Sequence, residues 1–184
     1  PDGSQIAYAR IRPSADYSGL YVVASEGGSP RLIRPGRRQW YSDEKDYFPT
    51  GVFSPTFSPD GRKIAYVDGM GDWGNGLRVM NADGSHVRVL IDSDGEDRFD
   101  GHVQHLAWSP DGSHLAFDTE AGIWVMGADG SGLRKVVRRG WKPTWSPDGS
   151  RIAYGGSWNA QSWKPLRIAD ADGSHIQEFT CCGS

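Results

Sequence analysis

Apolar positions along the chain come in short runs, without helical spacing. Ile64-Ala65-Tyr66, Leu115-Ala116-Phe117 and Ile152-Ala153-Tyr154 each follow Ser-Pro-Asp-Gly and two further residues. After a polar stretch a second run appears: Leu77-Arg78-Val79-Met80, Ile123-Trp124-Val125-Met126 and Leu166-Arg167-Ile168-Ala169. Runs of this length, rich in branched and aromatic residues and bounded by turn residues, predict strands. Ser-Pro-Asp-Gly has the chemistry of a tight turn, with Pro pre-setting the second position and Gly free to take a left-handed backbone at the fourth. Each second run leads into Ala-Asp-Gly-Ser, a hairpin signal, and then into a third run at 87–91, 133–137 or 176–179.

The pattern repeats. Trp145-Ser146-Pro147-Asp148-Gly149-Ser150-Arg151-Ile152-Ala153-Tyr154 matches, position for position, the stretches starting at Phe57 and Trp108, and the chain opens inside another copy at Pro1-Asp2-Gly3. Each unit supplies strands a, b, c and d, with Pro-Asp-Gly between a and b and Asp-Gly between c and d. The approximate units are 1–36, 52–92, 103–138 and 141–180. In the first, strand a is missing and Gly27-Gly28 stands where the others have Asp-Gly, a pair that still suits a primed turn. A four-stranded antiparallel sheet repeated in tandem predicts an all-β fold, a β-propeller with one blade per unit, whereas a β-sandwich has no reason to repeat its sequence.

The doubled phrase, aromatic-Ser-Pro-Asp-Gly followed by Ile-Ala-Tyr and then Ala-Asp-Gly-Ser, resembles the TolB-type, or WD-like, β-propeller repeat. The resemblance runs over nearly the whole chain. It implies the propeller fold and a bacterial periplasmic or extracellular setting, with roles as an interaction platform, a sensor module, or the accessory domain of a prolyl-oligopeptidase-like hydrolase. Propellers of that family usually have six blades, so four units without a closing strand read as a piece of a longer propeller rather than a four-bladed ring.

Composition narrows the function further. Gly 25 and Pro 11 among 184 residues fit frequent turns and argue against long helices. A formal net charge of -3 leaves no basic field for nucleic acid or anionic lipid, and the pairs Arg37-Arg38 and Arg138-Arg139 make no basic stripe. No apolar run is long enough for membrane insertion. Cys181 and Cys182 are adjacent, so they pair only with each other, with strain, or with another chain, or stay as free thiols. Gly155-Gly156-Ser157-Trp158-Asn159 begins like a serine-hydrolase elbow but lacks the closing Gly, and no catalytic motif is found.

Both repeated turns fall at one end of every blade, which puts the variable b-to-c and d-to-a connections at the other. The b-to-c loops are 9–19, 67–76, 118–122 and 155–165; the d-to-a loops are 34–51, 92–104 and 138–142. A repeat protein that varies on one face binds with that face. These loops carry Trp40, Tyr41, Tyr47, Trp73, Phe99, Trp141, Trp158 and Trp163, interleaved with charges such as Arg98 and with His102. The expected function is a non-catalytic module binding a protein or peptide partner through these residues, the other reading being that the aromatics pack over the blade ends. A substrate-gating hydrolase propeller and a carbohydrate-binding propeller using Trp73, Trp141, Trp158 and Trp163 are the alternatives. No cofactor is expected; the one candidate, calcium at Asp92, Asp94 and Asp97, is a poor match, since the loop has Gly at its fourth position where an EF-hand loop has it at the sixth, and it reads better as a solvated acidic turn. Alternation puts His102 and Gln104 on one face of an entering strand a and His105 on the other. Such imidazoles resemble those of metal-using oligogalacturonate lyases, but the further His ligands have no counterpart here.

Overall fold

The computed structural model describes residues 2–10, 19–40, 47–70, 73–92, 101–156 and 165–179, with the backbone alone described at 37–40, 47–50, 70 and 73–75. The chain forms two compact units, Pro1–Glu96 and Asp97–Ser184. Among the described residues every element is a strand.

In the first unit, β1 (Gln5–Arg10), β2 (Gly19–Ala24) and β3 (Arg31–Pro35) form a three-stranded antiparallel sheet, blade 1, lacking strand a. Blade 2 runs β4 (Arg37–Trp40), β5 (Tyr47–Phe57), β6 (Lys63–Met70), β7 (Trp73–Asn81), β8 (Arg88–Ile91). In the second unit, β9 (Leu106–Trp108), β10 (His114–Thr119), β11 (Gly122–Gly127) and β12 (Arg134–Arg138) make blade 3. Blade 4 comprises β13 (Gly140–Trp145), β14 (Arg151–Gly156), β15 (Leu166–Asp170) and β16 (Gln177–Phe179). The order a-b-c-d follows the sequence in both, as expected of propeller blades.

Blade 2 departs from the expected loops. Residues 37–40 and 47–50, read as part of a d-to-a loop, pair as a β4–β5 ribbon from Arg37↔Thr50 to Trp40↔Tyr47, giving the blade a fifth strand. The b-to-c stretch 67–76 is likewise mostly strand, because β6 and β7 stay paired out to Met70↔Trp73. Local turn residues set where a strand can stop, but antiparallel pairing carries it on wherever a partner remains alongside. The third runs also begin one residue later than expected, at Arg88, Arg134 and Gln177. In blade 3, strand a starts only at Leu106, so 102–105 precede it.

Strand a of blades 2 and 4 carries a register shift, between Phe53 and Thr56 and between Trp141 and Thr144. Pro55 and Pro143 lie inside those shifts; a proline has no N–H to give the ladder, so the extra residue bulges out. Ser54 and Lys142 before them take left-handed backbones, φ 48° and 51°.

Alternation divides each sheet into two apolar faces, and the cores lie where faces of consecutive blades meet. In the first unit Ala7, Leu20, Val22 and Ile33 of blade 1 pack on Val52, Ile64, Tyr66 and Met80 of blade 2. In the second, Ala116, Ile123, Val125 and Val137 of blade 3 pack on Ile152, Tyr154 and Ala169 of blade 4. The same repeat positions are used both times: the Ala of Ile-Ala-Tyr looks toward the next blade, the Ile and Tyr toward the previous one.

Candidate functional site

The repeated turns are self-contained. In blade 2 the Ser58 hydroxyl donates to Asp60 Oδ1 (2.6 Å), the Arg62 amide donates to the same oxygen (3.0 Å), the Lys63 amide donates to Ser58 Oγ (3.0 Å), and the Gly61 amide closes the turn on the Ser58 carbonyl (2.9 Å). Ser109, Asp111, Ser113 and His114 repeat this in blade 3, and Ser146, Asp148, Ser150 and Arg151 in blade 4. Hydrogen bonds donated to the charged form lower a carboxyl pKa. The Ser58 hydroxyl, then the Arg62 amide, hold Asp60 below the usual range; the hydroxyls of Ser109 and Ser113 do so for Asp111; Ser146 and then Ser150 bring Asp148 down to about 2.

Between successive turns each unit has a shallow cleft, about 490 Å³ beside Asp111, His114, Trp145 and Asp148 and about 510 Å³ beside Asp2, Gln5, Phe57 and Asp60. Their linings are equivalent repeat positions. Arg31 and Arg134 also match, donating across blades to the carbonyls of Asp83 (3.4 Å) and Ala171 (3.3 Å). Features that recur with the repeat are explained by the packing of the repeat, so this end is scaffold.

At the opposite end of the second unit the chain departs from its repeat. The residue after Ile-Ala-Tyr is Val67 in blade 2 and Gly155 in blade 4, but Asp118 in blade 3, and it is 2 % exposed. A carboxylate in an apolar slot must be satisfied. Asp118 Oδ1 accepts from the His105 amide (2.8 Å), the His105 Nδ1 lies 3.0 Å from Oδ2, and Oδ2 also accepts from the Lys142 amide (3.1 Å). One side chain of β10 thus fixes the residue that leads into strand a of its own blade and the bulge of the next.

Two residues on, Glu120 collects the segment before β9. It accepts from the His102 amide (2.6 Å) and from Gln104 Nε2 (3.2 Å), and its Oε1 is 3.3 Å from His102 Nδ1. Burial pushes its carboxyl upward, but the His102 amide and the remaining hydrogen bonds outweigh that and leave the pKa below the usual value. His102 and Gln104 therefore share one partner while His105 takes another.

Trp141 sits on this framework. It pairs with Gly155 across β13 and β14, and a Cβ at Gly155 would overlap the indole, so the ring lies flat against the glycine. Lys142 Nζ is 4.8 Å from the ring centroid, a cation–π contact, and Trp141 remains 43 % exposed. Arg138 and Arg139 are exposed just upstream, with no ion-pair partner among the described residues. The tryptophan is thus held on one side and partly exposed, with one cation, Lys142, over its ring.

Of the residues singled out from the sequence, His102 and Trp141 lie in this region. Asp92 is exposed at the end of blade 2, while its calcium companions Asp94 and Asp97 lie outside the described residues. Trp40, Tyr47 and Trp73 are in strands whose side chains are not described; Tyr41, Arg98, Phe99, Trp158 and Trp163 also lie outside the described residues. Among the described residues no His, Cys, Asp and Glu group is arranged to hold a metal. No hydroxyl or thiol among them hydrogen-bonds the His105 ring. The aromatic content of the loops does not single out Asp118 or Glu120; the signal for Asp118 is that it breaks the repeat where blades 2 and 4 have Val67 and Gly155.

No family model matches the chain. A stretch of 67 residues, 35% of the chain, is 39% identical to the Tol-Pal system protein TolB of Alcanivorax borkumensis, covering 14% of that protein. A structure of a putative TolB from Agrobacterium tumefaciens superposes with a TM-score of 0.70 at 22% identity, over 97% of this chain and 61% of the other. An oligogalacturonate lyase in complex with manganese aligns over 92% of this chain and 46% of its own with a TM-score of 0.65 and 16% identity. A prolyl endopeptidase aligns over 96% and 28% with 0.64 and 13%. The chain spans less than two thirds of the length of each. Its repeats, its blade topology and these likenesses together give it the fold of the TolB-type β-propeller proteins.

Proposed function

We propose that the chain is a non-catalytic β-propeller interaction module that binds a protein or peptide partner at the variable end of its blades. The observation that carries this is Trp141, fixed against Gly155, left part-exposed, with Lys142 over its ring and the exposed Arg138 and Arg139 just upstream in the chain. Large rigid aromatics flanked by arginine are the groups that dominate interface energetics. The TolB-type likeness supports a periplasmic or extracellular setting as part of the same reading. Likeness to a prolyl endopeptidase favours a second reading, a propeller accompanying a hydrolase domain, which the length and downstream content of the parent gene test directly.

The binding reading is tested by selecting a displayed random peptide library on the chain. Selected peptides should bind at least about 30-fold more weakly to Trp141→Ala, in line with a hot-spot loss of about 2 kcal/mol, and equally well to Asp148→Asn at the turn end. Peptides indifferent to Trp141→Ala would overturn the site. A titration with sugars monitored by tryptophan fluorescence separates the carbohydrate alternative.

A further inference from the structure

The connection from blade 3 to blade 4, residues 138–142, has its backbone pinned at three points. Gly140 is buried, and a Cβ there would overlap the Tyr154 ring and the Ile123 side chain. Gly122 lets the connection close down on β11, since a Cβ at that position would overlap the Val137 carbonyl and the Arg139 amide. The Lys142 amide is tied to the buried Asp118 at 3.1 Å. Between these anchors Arg139 and Lys142 take left-handed backbones, φ 64° and 51°, which residues with a long side chain adopt only where the surroundings impose it.

This backbone displays positive charge. Arg138, Arg139 and Lys142 are exposed, while Gly140 and Pro143 are buried. None of the three cations is ion-paired among the described residues, and Lys142 lies over the Trp141 ring instead. The nearby carboxylates on β10 and just after it are already engaged, Asp118 by two amides and the His105 ring, Glu120 by His102 and Gln104. Blades 3 and 4 close on each other at this junction, so the exposure of Arg138 and Arg139 is not that of an open blade face.

Exposed guanidinium groups on a fixed backbone are preorganised for carboxylates, which each can hold through two parallel N–H···O bonds. Five residues span at most about 17 Å, the reach of a short peptide segment. A nucleic acid would need a wider basic field than a chain of net charge -3 supplies. We propose that the partner segment bound at the variable end is acidic, and that Arg138 and Arg139 pair with its carboxylates. This rests on the peptide-binding reading above and adds the charge of the ligand to it.

Peptides selected from a displayed random library on the wild-type chain should be enriched in Asp and Glu over the unselected pool. A selected peptide, synthesised with a fluorescent label, should bind about 10-fold or more weakly to the double variant Arg138→Gln, Arg139→Gln. It should also weaken as salt rises from about 0.1 M to about 1 M, which shortens the Debye length from about 10 Å to about 3 Å. Both arginines are exposed, so the variant should keep the wild-type circular dichroism. Selection on the charge-reversed chain, Arg138→Glu with Arg139→Glu, should no longer enrich Asp and Glu. Selected peptides without an acidic bias, a bias that survives charge reversal, or a peptide indifferent to the double variant each overturns the proposal. Neutral peptides that are weakened by Trp141→Ala would remove this proposal and leave the peptide site standing, whereas a library yielding no binder removes both. An oligothymidylate that displaces the peptide at equal concentration would assign the cations to nucleic acid and overturn it too. Asp94→Asn with Asp97→Asn should leave the affinity unchanged, and a gain would show that the chain's own acidic connection covers the cations, against the proposal.

Discussion

Replacing Asp118 by alanine removes the acceptor for two backbone amides, those of His105 at 2.8 Å and Lys142 at 3.1 Å, and for the His105 ring. An orphaned buried donor costs about 1–3 kcal/mol. These sites are part-buried, so water recovers some of that, and the expected destabilisation of the second unit is about 2–4 kcal/mol. Urea unfolding of the variant measures the total, and amide hydrogen exchange localises it, since His105 and Lys142 should lose protection before the strands of blade 3 do. Asp118→Val adds the control. Valine restores the residue type that blade 2 has at this position, Val67, and should regain about 1 kcal/mol of apolar burial without supplying an acceptor. If Asp118→Val is as stable as wild type with both amides still protected, the carboxylate is not the tie and the reasoning fails.

The turn aspartates predict acid sensitivity. Asp148 falls from 3.8 to about 2 on folding, so its contribution is fully present above about pH 4 and is lost as pH drops toward 2. Ser146→Ala removes the largest cause and should flatten the fall in melting temperature between pH 5 and 2; an unchanged slope counts against the turn as its source. Tyr154 buries a hydroxyl with no partner among the described residues, and blade 3 has Phe117 at that position, so Tyr154→Phe should be neutral or stabilising by up to about 1 kcal/mol in urea. A loss above that would show that the hydroxyl is bonded. Gly173 has φ 92°, and a methyl there would overlap the Val136 carbonyl of the preceding blade; Gly132 at φ 64° faces open space. Gly173→Ala should therefore lower the melting temperature more than Gly132→Ala, and equal effects would mean backbone strain alone acts.

How much was legible depended on whether a residue's role was local. Ser58, Asp60 and Gly61 satisfy one another within six residues, so their turn can be read from the sequence. The β4–β5 ribbon could not, because Arg37 to Trp40 carry no strand pattern and are held by a partner strand arriving later. Asp118 was invisible for a related reason: its partners stand 13 and 24 residues away, one just before β9 and the other in β13. The aromatic count pointed to the variable loops, and among the described side chains it was Trp141 that proved to be displayed there.

The sequence by itself determined the blade: repeated turn chemistry fixes where strands begin, and alternation fixes which residues share a face. Only the tertiary structure decided which of those faces are covered. Leu20, Leu77, Ile123 and Leu166 are interchangeable as sequence, and a side chain's burial depends on the neighbour placed against it, which no local pattern encodes.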